Sequence, residues 1–183
     1  MKHNDAHAHA SIDLPSAWVQ QWASQIPASG RVLDVACGRG RHAKWLAMRG
    51  HPVEAVDRDE SALHTLAGVA GMSTRTADLE SEPWPYAGDQ FAAVVVVNYL
   101  HRPLFKHLLA AVAPGGVLIY ETFAVGNERY GRPTNPDFLL QPGELLKVAH
   151  GALEVIAYEN LAIEAPRPAL VQRMCAYNGA IGR

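Results

Sequence analysis

The sequence predicts an α/β protein built on a doubly wound, mostly parallel sheet of seven strands. Short apolar strands alternate with helical segments along most of the chain. A glycine turn, Gly38-x-Gly40, follows the first strand, and an acid, Asp57, ends the second. Strand, glycine turn and helix in succession point unpaired backbone N–H groups at a ligand. The first part of the chain is therefore predicted to form a ligand-binding βαβ unit.

The first predicted element is a helix over about 15–25. Asp13 lies near the predicted N-cap, and Pro15 lies in the first turn, where its missing N–H costs nothing. The apolar run at 31–36 reads as a buried strand that stops at the glycine turn. A helix over 41–49 follows at once.

A second strand is predicted over 52–56, followed by a helix over about 60–70. Asp59 is placed to cap this helix and Gly71 to stop it. The short run at 73–77 is predicted to form the third strand.

The middle of the chain alternates in the same way. Prolines and glycine make 80–89 a loop, and the β-branched run at 92–97 is typical of a central strand buried on both faces. A helix over about 103–113 ends before a Pro-Gly-Gly turn, and a fifth strand covers 117–122. The long stretch at 123–142 has loop composition, which in a compact domain is usually functional or disordered.

The last part contains a predicted helix at about 143–150 and two closing strands at about 153–160 and 169–178. At 183 residues the chain fits one domain. We expect that domain to cover 13–183 and a disordered, histidine-rich tail to cover 1–12; metal binding by the tail histidines is the less favoured alternative.

Composition limits the function classes. A net charge of −2 argues against binding of nucleic acid through a broad basic surface, although it does not exclude a nucleic-acid substrate. Two cysteines make no disulfide framework, and no metal site is expected. The tail has no apolar signal-peptide segment, and the longest apolar run, 91–97, is too short to span a bilayer. A cytoplasmic protein without membrane partners is the expectation.

Two acids suggest which ligand the glycine turn binds. Asp57 lies 19 residues after Gly38, and an acid about 20 residues on is placed to bind ribose hydroxyls. Asp34 lies four positions before Gly38. A carboxylate there is unfavourable beside a pyrophosphate and favourable beside an ammonium or sulfonium group.

The segment Asp34-x-Ala36-x-Gly38-x-Gly40 resembles motif I of the class I S-adenosylmethionine-dependent methyltransferases, which runs acid-x-Gly-x-Gly-x-Gly. Ala36 departs from it, since many members have the first glycine there. The resemblance covers about 32–183. It implies S-adenosylmethionine as cofactor and a Rossmann-like methyltransferase fold whose last strand is antiparallel.

The resemblance also implies cofactor contacts along the strand ends. Asp78 and Leu79 match the position that contacts adenine in the family, and Trp84 either covers the base or only pins its loop. The full set expected to bind the cofactor is Asp34, Ala36, Gly38, Gly40, Asp57, Arg58, Asp78, Leu79 and Asn98.

Candidate catalytic residues follow the fourth and fifth strands, where ligands of open α/β sheets bind. Tyr99 and His101 are placed to hydrogen-bond or deprotonate a methyl acceptor, and Glu121 is the third candidate. The alternative for His101 is that it caps the next helix. The Asn/Asp-Pro-Pro-aromatic motif of enzymes that methylate planar amino groups is absent after Asn98.

The loop after the fifth strand, with Gly143-Glu144-Leu145 beyond it, resembles the acceptor-side insertion of small bacterial methyltransferases related to the tellurite-resistance methyltransferases. Arg129 and Arg132 in this loop either bind an anionic acceptor or are simply solvated.

The preferred prediction is methyl transfer to a small molecule, for which a soft acceptor needs no general base. An NAD-dependent oxidoreductase and a non-catalytic S-adenosylmethionine-binding sensor are the alternatives. The sequence indicates neither the acceptor nor the oligomeric state.

Overall fold

A seven-stranded sheet runs through the protein in a computed structural model that describes residues 14–179. Its strands lie in the order β3-β2-β1-β4-β5-β7-β6. Strands β1 to β5 pair in parallel, and β7 is antiparallel to both of its neighbours. The strands are β1 (Val32–Val35), β2 (Val53–Asp57), β3 (Met72–Thr76), β4 (Phe91–Val97), β5 (Val112–Phe123), β6 (Glu154–Ile163) and β7 (Ala169–Tyr177).

Five short α-helices cover the sheet: α1 (Ala17–Trp22), α2 (Arg41–Met48), α3 (Glu60–His64), α4 (Phe105–Ala111) and α5 (Glu144–Ala149). Four 3₁₀ turns lie at Ala23–Gln25, Arg102–Leu104, Asn127–Arg129 and Pro136–Phe138. The doubly wound sheet with an antiparallel last strand is confirmed. No helix in the described residues is long and apolar enough to cross a membrane.

The core lies on both faces of the sheet, and β4 supplies side chains to each. Val94 and Val96 pack with residues of α4 and α5, whereas Val95 and Val97 pack with residues of α1, α2 and α3. Successive side chains of a strand point to opposite faces, so a strand covered on both sides must be apolar throughout. This confirms the prediction of a central strand.

Two helix boundaries differ from prediction. Helix α1 is capped by Ser16, whose Oγ accepts the Trp18 N–H at 3.1 Å; the predicted cap, Asp13, lies outside the described residues, as does the tail at 1–12. Helix α3 is capped by Asp59 as predicted but ends at His64. Tight turns follow it, and Gly68 takes a positive φ of 80°, so Gly71 is not its stop.

The fifth strand is longer than predicted. It begins at Val112 and includes the Pro-Gly-Gly segment that composition assigned to a turn. Gly115 N–H donates to the Asn178 carbonyl at 2.7 Å, and Asn178 N–H donates to the Gly116 carbonyl at 2.8 Å. Pairing with the end of β7 thus supplies the backbone partners that a turn would have lacked.

Candidate active site

The glycine turn between β1 and α2 carries three residues in the left-handed region. Ala36, Gly38 and Gly40 have φ values of 52°, 54° and 68°. A Cβ on Gly40 would lie 2.7 Å from the Leu66 side chain, whereas one on Gly38 would meet no atom within 4 Å. Gly40 is therefore favoured by its positive φ and by the nearby Leu66 side chain, and Gly38 leaves its backbone open to a ligand. At Ala36 an alanine occupies a conformation that glycine adopts more easily, which explains the family's glycine there.

Asp34 lies behind this turn rather than on a cavity wall. Its side chain is buried, and its Oδ2 accepts the Ala43 N–H of α2 at 3.0 Å. Burial raises the pKa of Asp34 to about 7, against the lowering effect of that hydrogen bond. The structure thus shows Asp34 bracing the start of α2, and contact with a sulfonium group stays a prediction.

A cavity of about 460 Å³, here called cavity A, lies at the carboxyl ends of β1 to β5. This is the position where open α/β sheets bind ligands. It brings together seven residues predicted from the sequence: Ala36, Asp57, Arg58, Asp78, Leu79, Asn98 and Tyr99. Asp34, Gly38, Gly40 and His101 do not line it.

Asp57 ties the end of β2 to the glycine turn. Its Oδ2 accepts the Gly38 N–H at 2.7 Å, and its Oδ1 accepts the Asp59 N–H at 2.9 Å. A carboxylate can accept about four hydrogen bonds, so each oxygen keeps capacity toward cavity A. The geometry suits an acid that shapes the turn and also binds hydroxyl groups.

Polar groups that follow β3 also line cavity A. Asp78 Oδ1 accepts the Glu80 N–H at 3.0 Å. That bond, a bond from Ser81 and the positive charge of Arg58 lower the pKa of Asp78, so it stays ionised at neutral pH. Leu79 is buried beside it.

Two residues that follow β4, Asn98 and Tyr99, line cavity A. Asn98 has a φ of 58° and donates its N–H to the Glu121 carbonyl at 2.9 Å. Tyr99 lines cavity A, where burial and the nearby charges of Glu80 and Asp78 raise the pKa of its hydroxyl. Tyr99 is thus placed on the wall of cavity A, and its action on a methyl acceptor stays a prediction.

His101 departs from its predicted place. It precedes the 3₁₀ turn Arg102–Leu104 with an extended backbone, makes no side-chain cap bond, and lines none of the cavities described below. Its catalytic role therefore stays a prediction.

Trp84 is a further correction, since it does not line cavity A. Its ring stacks on His107, with centroids 5.7 Å apart, and meets the edge of Tyr86 at 5.4 Å. The tryptophan therefore pins its loop to the core, which was the alternative drawn from its flanking prolines.

A second cavity of about 280 Å³, cavity B, adjoins cavity A, and the two share Asn98 and Phe123. Glu121 lines cavity B. Its Oε1 accepts from Ser16 Oγ at 2.7 Å, and its Oε2 accepts from Arg173 Nη1 at 3.3 Å. Glu121 is the one predicted catalytic residue that lies on this side of the site.

Arg173, on β7, was missed by sequence reasoning. Its Nε donates to Glu159 Oε2 at 2.7 Å, and its guanidinium lies 4.7 Å from the Trp18 ring centroid. A charged residue in the otherwise apolar run Ala-Leu-Val-Gln-Arg-Met-Cys-Ala-Tyr was the available signal. Ser16, by contrast, carried no signal beyond that of a helix cap.

Arg102, also missed, holds the long loop after β5 against cavity A. Its Nη1 donates to the Asp137 carbonyl at 2.7 Å and its Nη2 to the Leu139 carbonyl at 2.9 Å, while Nε meets Glu144 at 2.7 Å. Between those carbonyls lies Phe138, which lines cavity A. The Glu144 of the Gly-Glu-Leu motif thus anchors an arginine that positions a cavity wall.

The strand order, the glycine turn and the acids that line cavity A agree with the resemblance to the class I S-adenosylmethionine-dependent methyltransferases that motif I indicated. Residues 32–116 match the family model described as a methyltransferase domain. That match favours a methyltransferase over the oxidoreductase alternative and is consistent with S-adenosylmethionine as the cofactor.

Individual relatives agree with this class. TehB from Haemophilus influenzae superposes with a TM-score of 0.74 at 19% identity, covering 89% of this chain and 62% of that one; at this identity the likeness shows the fold. YqeM of Bacillus subtilis, named as a methyltransferase, is 28% identical over 130 residues, 65% of this chain and 51% of its own. Trans-aconitate 2-methyltransferase of Sinorhizobium medicae is 31% identical over 100 residues, 52% of this chain and 38% of its own. The chain thus spans about half the length, or less, of these two curated relatives.

Proposed function

We propose that this chain transfers the methyl group of S-adenosylmethionine to a small-molecule acceptor whose nucleophile is soft or anionic. The observation that carries the proposal is the pair of adjoining cavities. Cavity A holds the residues expected to bind the cofactor, and cavity B opens beside it past Asn98 and Phe123. A protein that only sensed the cofactor would need no second chamber.

The residues of cavity A fit the cofactor in charge and shape. Asp57 offers carboxylate oxygens for ribose hydroxyls, and Asp78 with Leu79 offers a polar edge and an apolar surface for adenine. Gly38 leaves room for close backbone approach. Phe138 and Pro133, from the loop that Arg102 holds, cover the remaining side.

When bound, S-adenosylmethionine supplies an electrophilic methyl carbon: a bond to the acceptor's nucleophile forms as the carbon–sulfur bond breaks and sulfur keeps the electron pair. The protein's task is to orient the acceptor and to exclude water. Phe123 provides an apolar surface between the cavities, and Glu121 is held in place by Ser16 and Arg173. An acceptor that arrives as an anion needs no base, so these residues suffice.

A small acceptor suits the limited volume of cavity B better than a polymer does. The relative named for trans-aconitate acts, by its name, on an anionic small molecule. That supports an anionic acceptor here.

The deciding experiment measures transfer of labelled methyl from S-adenosylmethionine into a metabolite extract, followed by identification of the labelled product. We expect one or a few labelled small molecules and formation of S-adenosylhomocysteine. Asp57→Ala serves as the variant that should abolish labelling at low cofactor concentration. Binding of the cofactor without any labelled product would favour the sensor alternative, and absence of cofactor binding would contradict both.

A further inference from the structure

A third, small cavity, cavity C, adjoins cavity B. The two share Phe123, Arg167 and Ala169. Cavity C has a volume of about 50 Å³, several times the roughly 10–15 Å³ that a cavity needs to hold one water molecule. It therefore has room for a small terminal group such as a carboxylate.

Two arginines face cavity C from separate parts of the chain. Arg132 comes from the loop after β5, and Arg167 comes from the turn between β6 and β7. No acid is among the residues that line the cavity. Within residues 14–179 neither arginine forms an ion pair, and the acid nearest to Arg132 in the loop, Glu128, accepts the Gly126 N–H at 2.8 Å.

A buried asparagine holds these two segments at a fixed distance. Asn127 is 1% exposed. Its Nδ2 donates to the Pro133 carbonyl, next to Arg132, at 3.3 Å, and its Oδ1 accepts the Leu170 N–H, three residues after Arg167, at 3.1 Å. One side chain thus bridges the backbone segments that carry Arg132 and Arg167, two exposed arginines, and holds those segments beside each other.

We propose that cavity C binds a carboxylate group of the acceptor, held between Arg132 and Arg167, while the body of the acceptor lies in cavity B. This inference rests on the proposed function and makes it more specific. Arginine pairs bind planar carboxylates through charge-assisted hydrogen bonds, which are often bidentate. The apolar lining of cavity B, which includes Ile163 and Val171, suits an acceptor with a hydrophobic body.

The test uses calorimetric titration of the whole protein saturated with S-adenosylhomocysteine. The probes are benzoate, benzamide and phenyl phosphate, which share a phenyl ring and differ in their polar head group. We expect benzoate to bind at least tenfold more tightly than benzamide and no more weakly than phenyl phosphate. The double variant R132Q/R167Q should lose at least tenfold in benzoate affinity while its affinity for S-adenosylhomocysteine stays within twofold.

R129Q is the matched control, because Arg129 is an exposed arginine of the same loop that lines none of the three cavities. It should leave benzoate binding within twofold. Equal binding of benzoate and benzamide, or preference for phenyl phosphate, would overturn the inference and leave the methyl-transfer proposal standing. Loss of S-adenosylhomocysteine binding in R132Q/R167Q would overturn it too, by assigning the arginines to the cofactor's own carboxylate. Failure of wild type to bind S-adenosylhomocysteine would instead overturn the proposed function.

Discussion

Ser16 and Glu121 lie 105 residues apart in the chain, and the Ser16 hydroxyl donates to Glu121 Oε1 at 2.7 Å. The same hydroxyl accepts the Trp18 N–H and so caps α1. One small side chain therefore both starts the first helix and fastens it to the carboxyl end of β5. Because both residues line cavity B, this bond shapes the chamber assigned to the acceptor.

Ser16→Ala should lower the free energy of unfolding by about 1–3 kcal/mol, since it removes a helix cap and a hydrogen bond to a charged group. Urea unfolding measures the change. Ser24→Ala, at an exposed serine in the following 3₁₀ turn, is the control and should stay within about 0.5 kcal/mol of wild type. Equal stability of the two variants would show that the Ser16–Glu121 bond contributes nothing.

His42 and Asp34 should give opposite pH dependences of stability. Burial, with the charge of Arg41, lowers the pKa of His42 to about 3, and its Nε2 accepts the Ser16 N–H at 3.1 Å. Because the pKa of His42 is lower in the folded state, neutral His42 contributes stability at pH values above its unfolded-state pKa of about 6.5. That contribution is lost as the pH falls toward 3. Asp34, whose pKa is raised to about 7, contributes stability that is present below about 4 and lost as pH rises through 7.

The two effects partly cancel between pH 4 and 6.5, and substitution separates them. In D34N the free energy of unfolding should fall by about 2 kcal/mol between pH 6.5 and 5, because only His42 remains. In H42Q it should fall with rising pH over the same window. Urea unfolding at several pH values checks both, and parallel curves for the two variants would contradict the assignment.

Asp57→Ala should weaken S-adenosylhomocysteine binding by about 2–4 kcal/mol, because the ribose hydroxyls lose a charged acceptor. Since Asp57 also binds the Gly38 and Asp59 N–H groups, some loss of stability is expected, and calorimetry should be run well below the melting temperature. Asp59→Ala is the control: it removes the cap of α3, costs about 1 kcal/mol of stability and spares cofactor affinity. Similar affinity losses in both variants would mean that only the turn's shape matters.

Arg102→Gln should free the wall of cavity A that contains Phe138. Two backbone carbonyls and Glu144 lose their donor, so hydrogen exchange at 136–142 should quicken and S-adenosylhomocysteine should bind several-fold more weakly. Lys106→Gln, an exposed cation of the neighbouring helix α4, should change neither. Unchanged exchange in the Arg102 variant would show that the loop is held by its other contacts.

His101→Ala should leave turnover within about twofold of wild type, since His101 lines no cavity. Glu121→Gln should lower turnover while leaving cofactor affinity within about 0.5 kcal/mol, because Glu121 faces cavity B alone. Steady-state rates with any identified acceptor, paired with cofactor titration, make the comparison. A large loss in His101→Ala would restore the role that the sequence suggested for it.

Most of the strands and seven of the residues that line cavity A could be predicted because their signals are local. Apolar runs, a glycine turn and an acid at a set spacing report on neighbouring residues, and parallel strands bring their carboxyl ends to one edge. The predictions that could not be made from local patterns are those that depend on the direction in which a side chain points. Tyr99 and His101 follow the same strand, yet one lines cavity A and the other does not.

By itself the sequence determined the class of fold, the class of cofactor and the acids at the ends of β2 and β3. The tertiary structure alone decided how cavity B and the loop beside cavity A are assembled. Ser16 with Glu121, Arg102 with Glu144, and Asn127 with Leu170 are partners 105, 42 and 43 residues apart. Such pairs form only when β7 inserts between β5 and β6 and the loops fold back over the sheet edge. No local pattern encodes these contacts, because their energy depends on how distant elements pack.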